Sequence, residues 1–178
     1  MKYNINTIKK KFDDKEKINF VFFWKPTQTD GVFSQWYMCD FSENGVVYNC
    51  AEQYMMAQKA LLMKDYDIYK LIMKSSNPKE MKSLGRKVKN FNEKLWDDNK
   101  YNIVLKASIL KFGQNCFLLK SLIDTSDKVL VEASPFDTIW GIGLAKEDNR
   151  DVLNPYNWLG ENLLGFALME ARDILSKK

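Results

Sequence analysis

The sequence of 178 residues contains no histidine. This absence excludes histidine-based catalytic triads, imidazole proton shuttles and the common zinc sites. The three cysteines are an odd number without Cys-x-x-Cys spacing, so no disulfide framework is expected. No apolar run approaches the roughly 20 residues of a membrane-spanning helix, and we expect a cytoplasmic protein without a membrane partner. Acid–base chemistry would therefore use carboxylates, lysine, tyrosine or cysteine.

What the chain has instead is aromatic and basic side chains. Its 5 Trp, 8 Tyr and 11 Phe exceed the needs of a core of this size, which suggests that some line a pocket. The net charge is only +4, yet residues 64–111 carry a net charge of +6. Such a block suits an anionic ligand such as a phosphate, or equally a solvated helical surface.

The hydrophobic pattern predicts a single α+β domain, predominantly helical, with a small β component. Residues 1–17 form a polar arm or helix, and residues 18–178 form the folded domain. Asn49 is predicted to cap the first long helix, with Glu52 as its capping-box partner. The predicted strands cover residues 18–24, 33–41, 46–48 and 128–132. The predicted helices cover residues 50–64, 66–75, 78–88, 93–112, 117–123 and 161–176.

One candidate site lies on the helix over residues 50–64. Glu52 and Lys59 share a helical face with Met55 and Met56, because their spacing is i, i+3, i+4 and i+7. This face carries a carboxylate near its start and an ammonium two turns later, so it differs from the purely apolar face of a core helix. Glu52 is thus either a catalytic carboxylate or simply part of a capping box.

A second candidate site follows the last predicted strand. Residues 134–137 are predicted to open a turn or a short helix, with Ser134 as its cap, which places Asp137 and Trp140 on the same side. A carboxylate beside a flat aromatic can hold and polarise a heterocycle. Gly141 and Gly143 would let the backbone approach a ligand closely. The alternative is that Asp137 only caps a turn.

Two further positions suit a phosphate. Arg86, in the basic Leu84-Gly85-Arg86 stretch, can bind a phosphate through two parallel hydrogen bonds, although spacing alone favours an exposed basic helix end. Asn162 falls in the first turn of the last predicted helix, where free N–H groups can bind an anion. Neither signal is specific alone.

These pieces, taken in order, resemble the NADAR family, also called YbiA-like. The resemblance runs from about residue 20 to residue 172 and rests on an ordered set of short motifs rather than on one of them. The matching residues are Tyr48, Glu52, Gln58-Lys59-Ala60, Lys82, Leu84-Gly85-Arg86, Trp96-Asp97, Lys111-Phe112, Asn115, Glu132, Ser134, Asp137, Trp140-Gly141, Gly143, Asn162, Leu164-Gly165, Leu168-Met169 and Arg172.

The resemblance implies a YbiA-like fold and a hydrolase that cleaves the N-glycosidic bond between a ribose and a nitrogen heterocycle. The implied substrates are riboflavin-pathway intermediates such as 5-amino-6-(5-phosphoribosylamino)uracil, or ADP-ribosylated guanine in nucleic acid. The alternative is a non-catalytic module that binds NAD or ADP-ribose. No metal and no cofactor are implied. The expected catalytic residues are Glu52 and Asp137. The expected substrate-binding residues are Lys59, Arg86, Trp96, Trp140, Gly141, Gly143 and Asn162.

Overall fold

The computed structural model describes residues 1–177, in which helices dominate and the strands are short. The strands are β1 (Phe20–Phe23), β2 (Phe41–Glu43), β3 (Val46–Tyr48) and β4 (Val129–Glu132). The helices are α1 (Ile5–Asp13), α2 (Ala51–Leu62), α3 (Tyr66–Lys74), α4 (Pro78–Gly85), α5 (Glu93–Gly113), α6 (Cys116–Ile123) and α7 (Leu163–Leu175). The predicted α+β class, with more helix than strand, is confirmed.

The four strands form two separate pairs. β1 lies parallel to β4, with Phe23 opposite Glu132 at the carboxyl end of the pair. Parallel strands need a long connection, and here that connection contains α2 to α6. β2 and β3 form a hairpin around Asn44 and Gly45, whose positive φ values of 50° and 82° suit a tight two-residue turn.

The start of α2 differs from the prediction. Cys50, not Asn49, is the N-cap, and its Sγ accepts a hydrogen bond from the Gln53 N–H at 3.4 Å. Gln53 Oε1 accepts from the Asn49 N–H at 2.8 Å, so Gln53 performs the capping-box role expected of Glu52. The carboxyl group of Glu52 is therefore not used in capping.

The predicted strand over residues 33–41 is wrong for most of its length. Its backbone bonds to helices instead of to a strand: the Gln35 carbonyl accepts from the Glu52 N–H, and the Ser34 carbonyl accepts from the Lys111 ammonium. A short 3₁₀ turn, Gly31–Phe33, precedes this stretch, and regular strand begins only at Phe41.

Residues 134–137 form the turn, which was one of the two predicted alternatives, and not the short helix. Asp137 Oδ1 accepts the N–H groups of Ile139 and Trp140 and closes this local turn. One other boundary differs from the prediction. α7 begins at Leu163, two residues later than predicted, because Asn162 has a left-handed conformation with φ of 55°. Asn162 is therefore the N-cap residue and lies outside the first turn.

The core forms where α7 lies against α5 and β4. A Cβ at Gly165 would lie 2.1 Å from the Leu130 carbonyl oxygen, so glycine allows α7 to approach β4 closely. α1 packs onto the same body through buried Ile8, and the Tyr3 hydroxyl donates to Asp173 of α7. The boundary between residues 17 and 18 stays a prediction. Within residues 1–177, no helix is both long and apolar enough to cross a membrane.

Candidate active site

A cavity of about 730 Å³ opens beside the carboxyl end of the β1–β4 pair. Its walls come from the loops that follow β1 and β4, from one face of α2, from the end of α4 and from the start of α5. The volume falls in the range of small-molecule sites, roughly 300–1,000 Å³. Within residues 1–177, four buried side-chain N or O atoms lack a hydrogen-bond partner, and three belong to residues lining this cavity: Gln35 Nε2, Glu52 Oε1 and Glu132 Oε2.

Glu52 lies in the first turn of α2 and is only 2% exposed. The Trp36 indole N–H donates to its Oε2 at 3.2 Å, whereas Oε1 accepts no hydrogen bond within the described chain. Burial raises the Glu52 pKa to about 7, and the negative charge of Asp137 adds to the rise. Lys82, the Trp36 hydrogen bond and Arg86 oppose it. Glu52 therefore gains or loses its proton near neutral pH.

Glu132 is the last residue of β4 and supplies a second carboxyl group to the cavity. Its pKa is raised to about 8, chiefly by burial and also by the negative charges of Asp137 and Glu52, while the charge of Lys82 opposes the rise. Glu52 and Glu132 thus form a pair of carboxyl groups at the same cavity, and the charge of Glu52 acts on Glu132. Between their two pKa values, at about pH 7.5, the pair holds about one proton.

Asp137 supplies the third carboxyl group. Its Oδ2 lies 3.5 Å from Lys82 Nζ, and its Oδ1 accepts the N–H groups of Ile139 and Trp140 at 3.1 and 2.8 Å. All of these interactions are made to acceptor atoms and suit the ionised form. The Lys82 ammonium thus pairs with Asp137, and its charge also lowers the pKa values of Glu52 and Glu132.

Lys59 and Arg86 form a basic end of the cavity. Lys59 Nζ lies 4.4 Å from the ring centre of Phe91 and 5.5 Å from that of Trp96. Burial lowers the Lys59 pKa, and the positive charge of Arg86 lowers it further. Within the described residues, neither cation has an acidic side chain within 4.0 Å. Two nearby cations without an acidic partner would be stabilised by a bound anion.

Aromatic side chains form the remaining walls and the rim. Trp96 and Trp140 are half-buried in the cavity wall. At the rim, the rings of Trp24 and Phe136 lie 6.0 Å apart, and Phe136 is 86% exposed. Flat apolar faces of this kind can stack on a heterocycle.

The structure brings six of the nine predicted site residues to this cavity. They are Glu52, Lys59, Arg86, Trp96, Asp137 and Trp140. Glu52 and Asp137, which are 85 positions apart in the chain, reach the same cavity because α2 and the loop after β4 both face it. Their roles stay predictions.

Asn162 does not line the cavity. It is fully buried, and its side chain bonds to β4: Nδ2 donates to the Leu130 carbonyl at 2.9 Å, and Oδ1 accepts from the Glu132 N–H at 3.0 Å. Both polar groups of the side chain already have partners within the protein, and the predicted phosphate contact stays a prediction. Asn162 instead holds the backbone of Glu132 in place.

Gly141 and Gly143 also lie outside the cavity wall. A Cβ at Gly141 would lie 2.7 Å from the Glu132 carbonyl oxygen and 3.0 Å from that of Asp137. Gly143 has a φ of 69°, which strains other residue types. Gly141 lets the loop that carries Asp137 fold against the end of β4, whereas Gly143 packs against Leu159 and Thr138.

Among the cavity residues that sequence reasoning did not assign to the site are Gln35, Trp36, Lys82 and Glu132. Lys82 and Glu132 stand inside motifs of the resemblance, so their positions there were an available signal. Gln35 and Trp36 fell in a predicted strand, and nothing in their local pattern indicates that Trp36 reaches Glu52.

The fold and the site define a class: a small α+β domain with an aromatic-walled cavity that contains several carboxyl groups. The NADAR domain profile matches residues 22–176, and the chain belongs to the NADAR family. It is 48% identical over 148 residues to N-glycosidase R617 of Acanthamoeba polyphaga mimivirus, covering 80% of this chain and 86% of that protein. It is 32% identical over 158 residues to N-glycosidase Npun_R5314 of Nostoc punctiforme, covering 86% and 90%.

A solved structure shares the architecture. The NMR structure of the E. coli protein YbiA matches with a TM-score of 0.74 and 26% identity, covering 90% of this chain and 87% of that chain. The YbiA-like fold and the family resemblance are thereby confirmed.

Proposed function

We propose that this cavity hydrolyses the N-glycosidic bond between the ribose of a phosphorylated compound and a nitrogen heterocycle. The enzyme is an N-glycosidase of the NADAR family, in line with the names of the two relatives above. The observation that carries the proposal is the pair of buried carboxyl oxygens, Glu52 Oε1 and Glu132 Oε2, that lack a partner at the cavity. A buried acceptor without a partner is costly, so such atoms indicate that a substrate or water completes the site.

Catalysis requires that charge be stabilised on both groups joined by the bond that breaks. As the C1′–N bond cleaves, its electron pair moves to the heterocycle and positive charge develops on the ribose. The protonated member of the Glu52–Glu132 pair donates its proton to the departing nitrogen. A water molecule attacks C1′, and the ionised member of the pair accepts the proton that this water releases.

Asp137 stabilises the positively charged ribose. Its Oδ1 is held by two backbone N–H groups and its Oδ2 by Lys82, so the carboxylate is fixed before the substrate arrives. A preorganised negative charge stabilises a cationic transition state without reorganisation during the reaction. Lys82 in turn keeps three acidic groups together at one site.

The basic end of the cavity binds the phosphate. Lys59 and Arg86 are close enough for the Arg86 charge to lower the Lys59 pKa, and a phosphate or diphosphate between them would relieve that repulsion. The heterocycle stacks against Trp96 or Trp140. This arrangement fits two substrate classes: a ribosylamine phosphate such as 5-amino-6-(5-phosphoribosylamino)uracil, and ADP-ribosylated guanine in nucleic acid.

The test is a panel of glycosides read out by release of the free base. The panel contains 5-amino-6-(5-phosphoribosylamino)uracil, ADP-ribosyl-guanine in an oligonucleotide, and NAD. We expect release from one of the first two, and a loss of at least about 10²-fold in Glu52→Gln, Glu132→Gln and Asp137→Asn. Glu147→Gln is the matched control, because Glu147 is an exposed glutamate outside the cavity.

Wild-type rates in all three correctly folded carboxyl variants would reject the mechanism. Tight binding of ADP-ribose by calorimetry, with no base released over hours, would reject the enzyme in favour of a binding module. If the nucleic acid is the substrate, its binding should weaken steeply with salt, because residues 64–111 carry a net charge of +6.

A further inference from the structure

Lys111 is a buried cation that the proposed mechanism does not use. It lies near the end of α5 and is 1% exposed, yet within the described residues no acidic side chain lies within 4.0 Å of it. Its ammonium donates to two backbone carbonyls, those of Val32 at 2.7 Å and Ser34 at 2.8 Å. A buried ammonium is costly, so its retention at this position points to a specific task.

The groups around Lys111 do not neutralise it. They are the thiols of Cys39 and Cys50 and the rings of Tyr37 and Phe112, whose centres lie 5.4 and 5.1 Å from Nζ. Burial lowers the Lys111 pKa to about 8, so the ammonium is still mostly protonated at neutral pH. The two carbonyls are therefore its main hydrogen-bond partners.

The segment that Lys111 holds leads directly into the active site. After Ser34, the Gln35 carbonyl accepts the Glu52 N–H at 3.0 Å, and the Trp36 indole donates to Glu52 Oε2 at 3.2 Å. This segment is not part of any sheet, so strand pairing does not fix its path. Bonds from the helices on either side fix it instead, and the Lys111 ammonium makes two of them.

We propose that Lys111 is a positioning residue, which clamps residues 32–34 so that Trp36 reaches Glu52 and Gln35 reaches the cavity wall. The catalytic consequence of this clamp rests on the function proposed above, whereas its effect on Glu52 does not. Lys111 does not itself line the cavity; it contacts Ser34, which does, and acts through this loop.

The clamp has a consequence that a merely structural role would not have. The charged groups that face Glu52 are Lys82, Arg86, Asp137 and Glu132, and Lys111 is not among those that set its pKa. The Trp36 hydrogen bond lowers the Glu52 pKa. If Lys111 keeps Trp36 in place, loss of the Lys111 side chain raises the Glu52 pKa through the loss of that hydrogen bond.

The experiment measures the Glu52 titration midpoint by ¹³C NMR of the side-chain carboxyl, assigned with Glu52→Gln. We expect a midpoint near 7 in the wild type, and a rise of about one pH unit in Trp36→Phe. Lys111→Met and Lys111→Gln should show a similar rise. The double variant Trp36→Phe, Lys111→Met should show no further rise, because both changes remove the same hydrogen bond.

Lys94→Met is the matched control, since Lys94 is an exposed lysine on the same helix and pairs only with Asp98. It should leave the midpoint unchanged. An unchanged midpoint in folded Lys111→Met and Lys111→Gln, or additive shifts in the double variant, would overturn the proposal. So would loss of folding in both Lys111 variants, because that would make Lys111 a core residue. None of these outcomes depends on catalysis, so failure of the base-release assay remains distinguishable.

Discussion

Replacing Glu52 with glutamine should make the protein more stable at alkaline pH while it removes activity. The folded-state pKa of Glu52 is about 7, above its ordinary value of 4.5. Between these two values the folded protein keeps a proton that the unfolded chain has already released. Stability contributed by this group is therefore complete below about pH 4.5 and is lost as the pH rises through 7.

The size of this effect follows from the difference between the two pKa values. At 1.36 kcal/mol per pKa unit, the wild type loses about 3 kcal/mol in its free energy of unfolding, most of it between pH 5 and pH 8. Glutamine has no proton to lose, so Glu52→Gln avoids this loss. The stability of the variant relative to the wild type should increase by about 2–3 kcal/mol between pH 5 and pH 9.

Urea denaturation at pH 5 and pH 9 measures this change directly, because it compares each protein with itself at two pH values. Any fixed effect of the new amide, such as an unpaired N–H, cancels in that comparison. In a chain of this size the difference corresponds to about 4–12 °C in Tm. Glu147→Gln should show a constant difference from the wild type. A difference for Glu52→Gln that stays constant within about 0.5 kcal/mol would refute the burial argument.

Three further predictions concern the substrate, the strand and metals. Lys59→Met and Arg86→Met should each raise KM for the phosphorylated substrate about tenfold or more with little change in kcat, because the lysine and the arginine bind a phosphate that does not react. An unchanged KM would count against the anion site. Asn162→Ala should lower the free energy of unfolding by about 1–3 kcal/mol in urea, because Leu130 and Glu132 lose buried partners, and an unaltered midpoint would contradict this. Base release should continue in EDTA, and loss with rescue by a divalent ion would show that a metal takes part.

Local signals in the sequence were sufficient for most elements. Asn92, a residue type typical of N-caps, caps α5 with its Oδ1 accepting from the Leu95 N–H at 2.9 Å, and the Asn44-Gly45 turn forms a hairpin. These elements follow from interactions within a few residues, which a sequence pattern contains. The strand prediction for residues 33–41 was wrong because the hydrogen-bond partners of this stretch are on α2 and α5, far away in the chain.

For the site residues too, local sequence patterns predicted some positions, and others depend on distant parts of the chain. The helical spacing of Glu52 and Lys59 predicted a shared face, and both residues line the cavity. Asn162 was misplaced because its left-handed conformation and its bonds to β4 depend on tertiary packing. Trp36 could not be identified, because a loop of irregular path delivers its indole to Glu52.

The central claim is that one protonated and one ionised carboxyl group act together at the bond that breaks. Its most direct test is the pH dependence of kcat/KM for base release. We predict a bell-shaped profile whose two limbs reflect the apparent pKa values of the Glu52–Glu132 pair, near 7 and 8, with the maximum between them. The folded Glu132→Gln variant should lose this bell-shaped dependence on pH. A rate that stays flat from pH 5.5 to pH 9.5 would contradict the account.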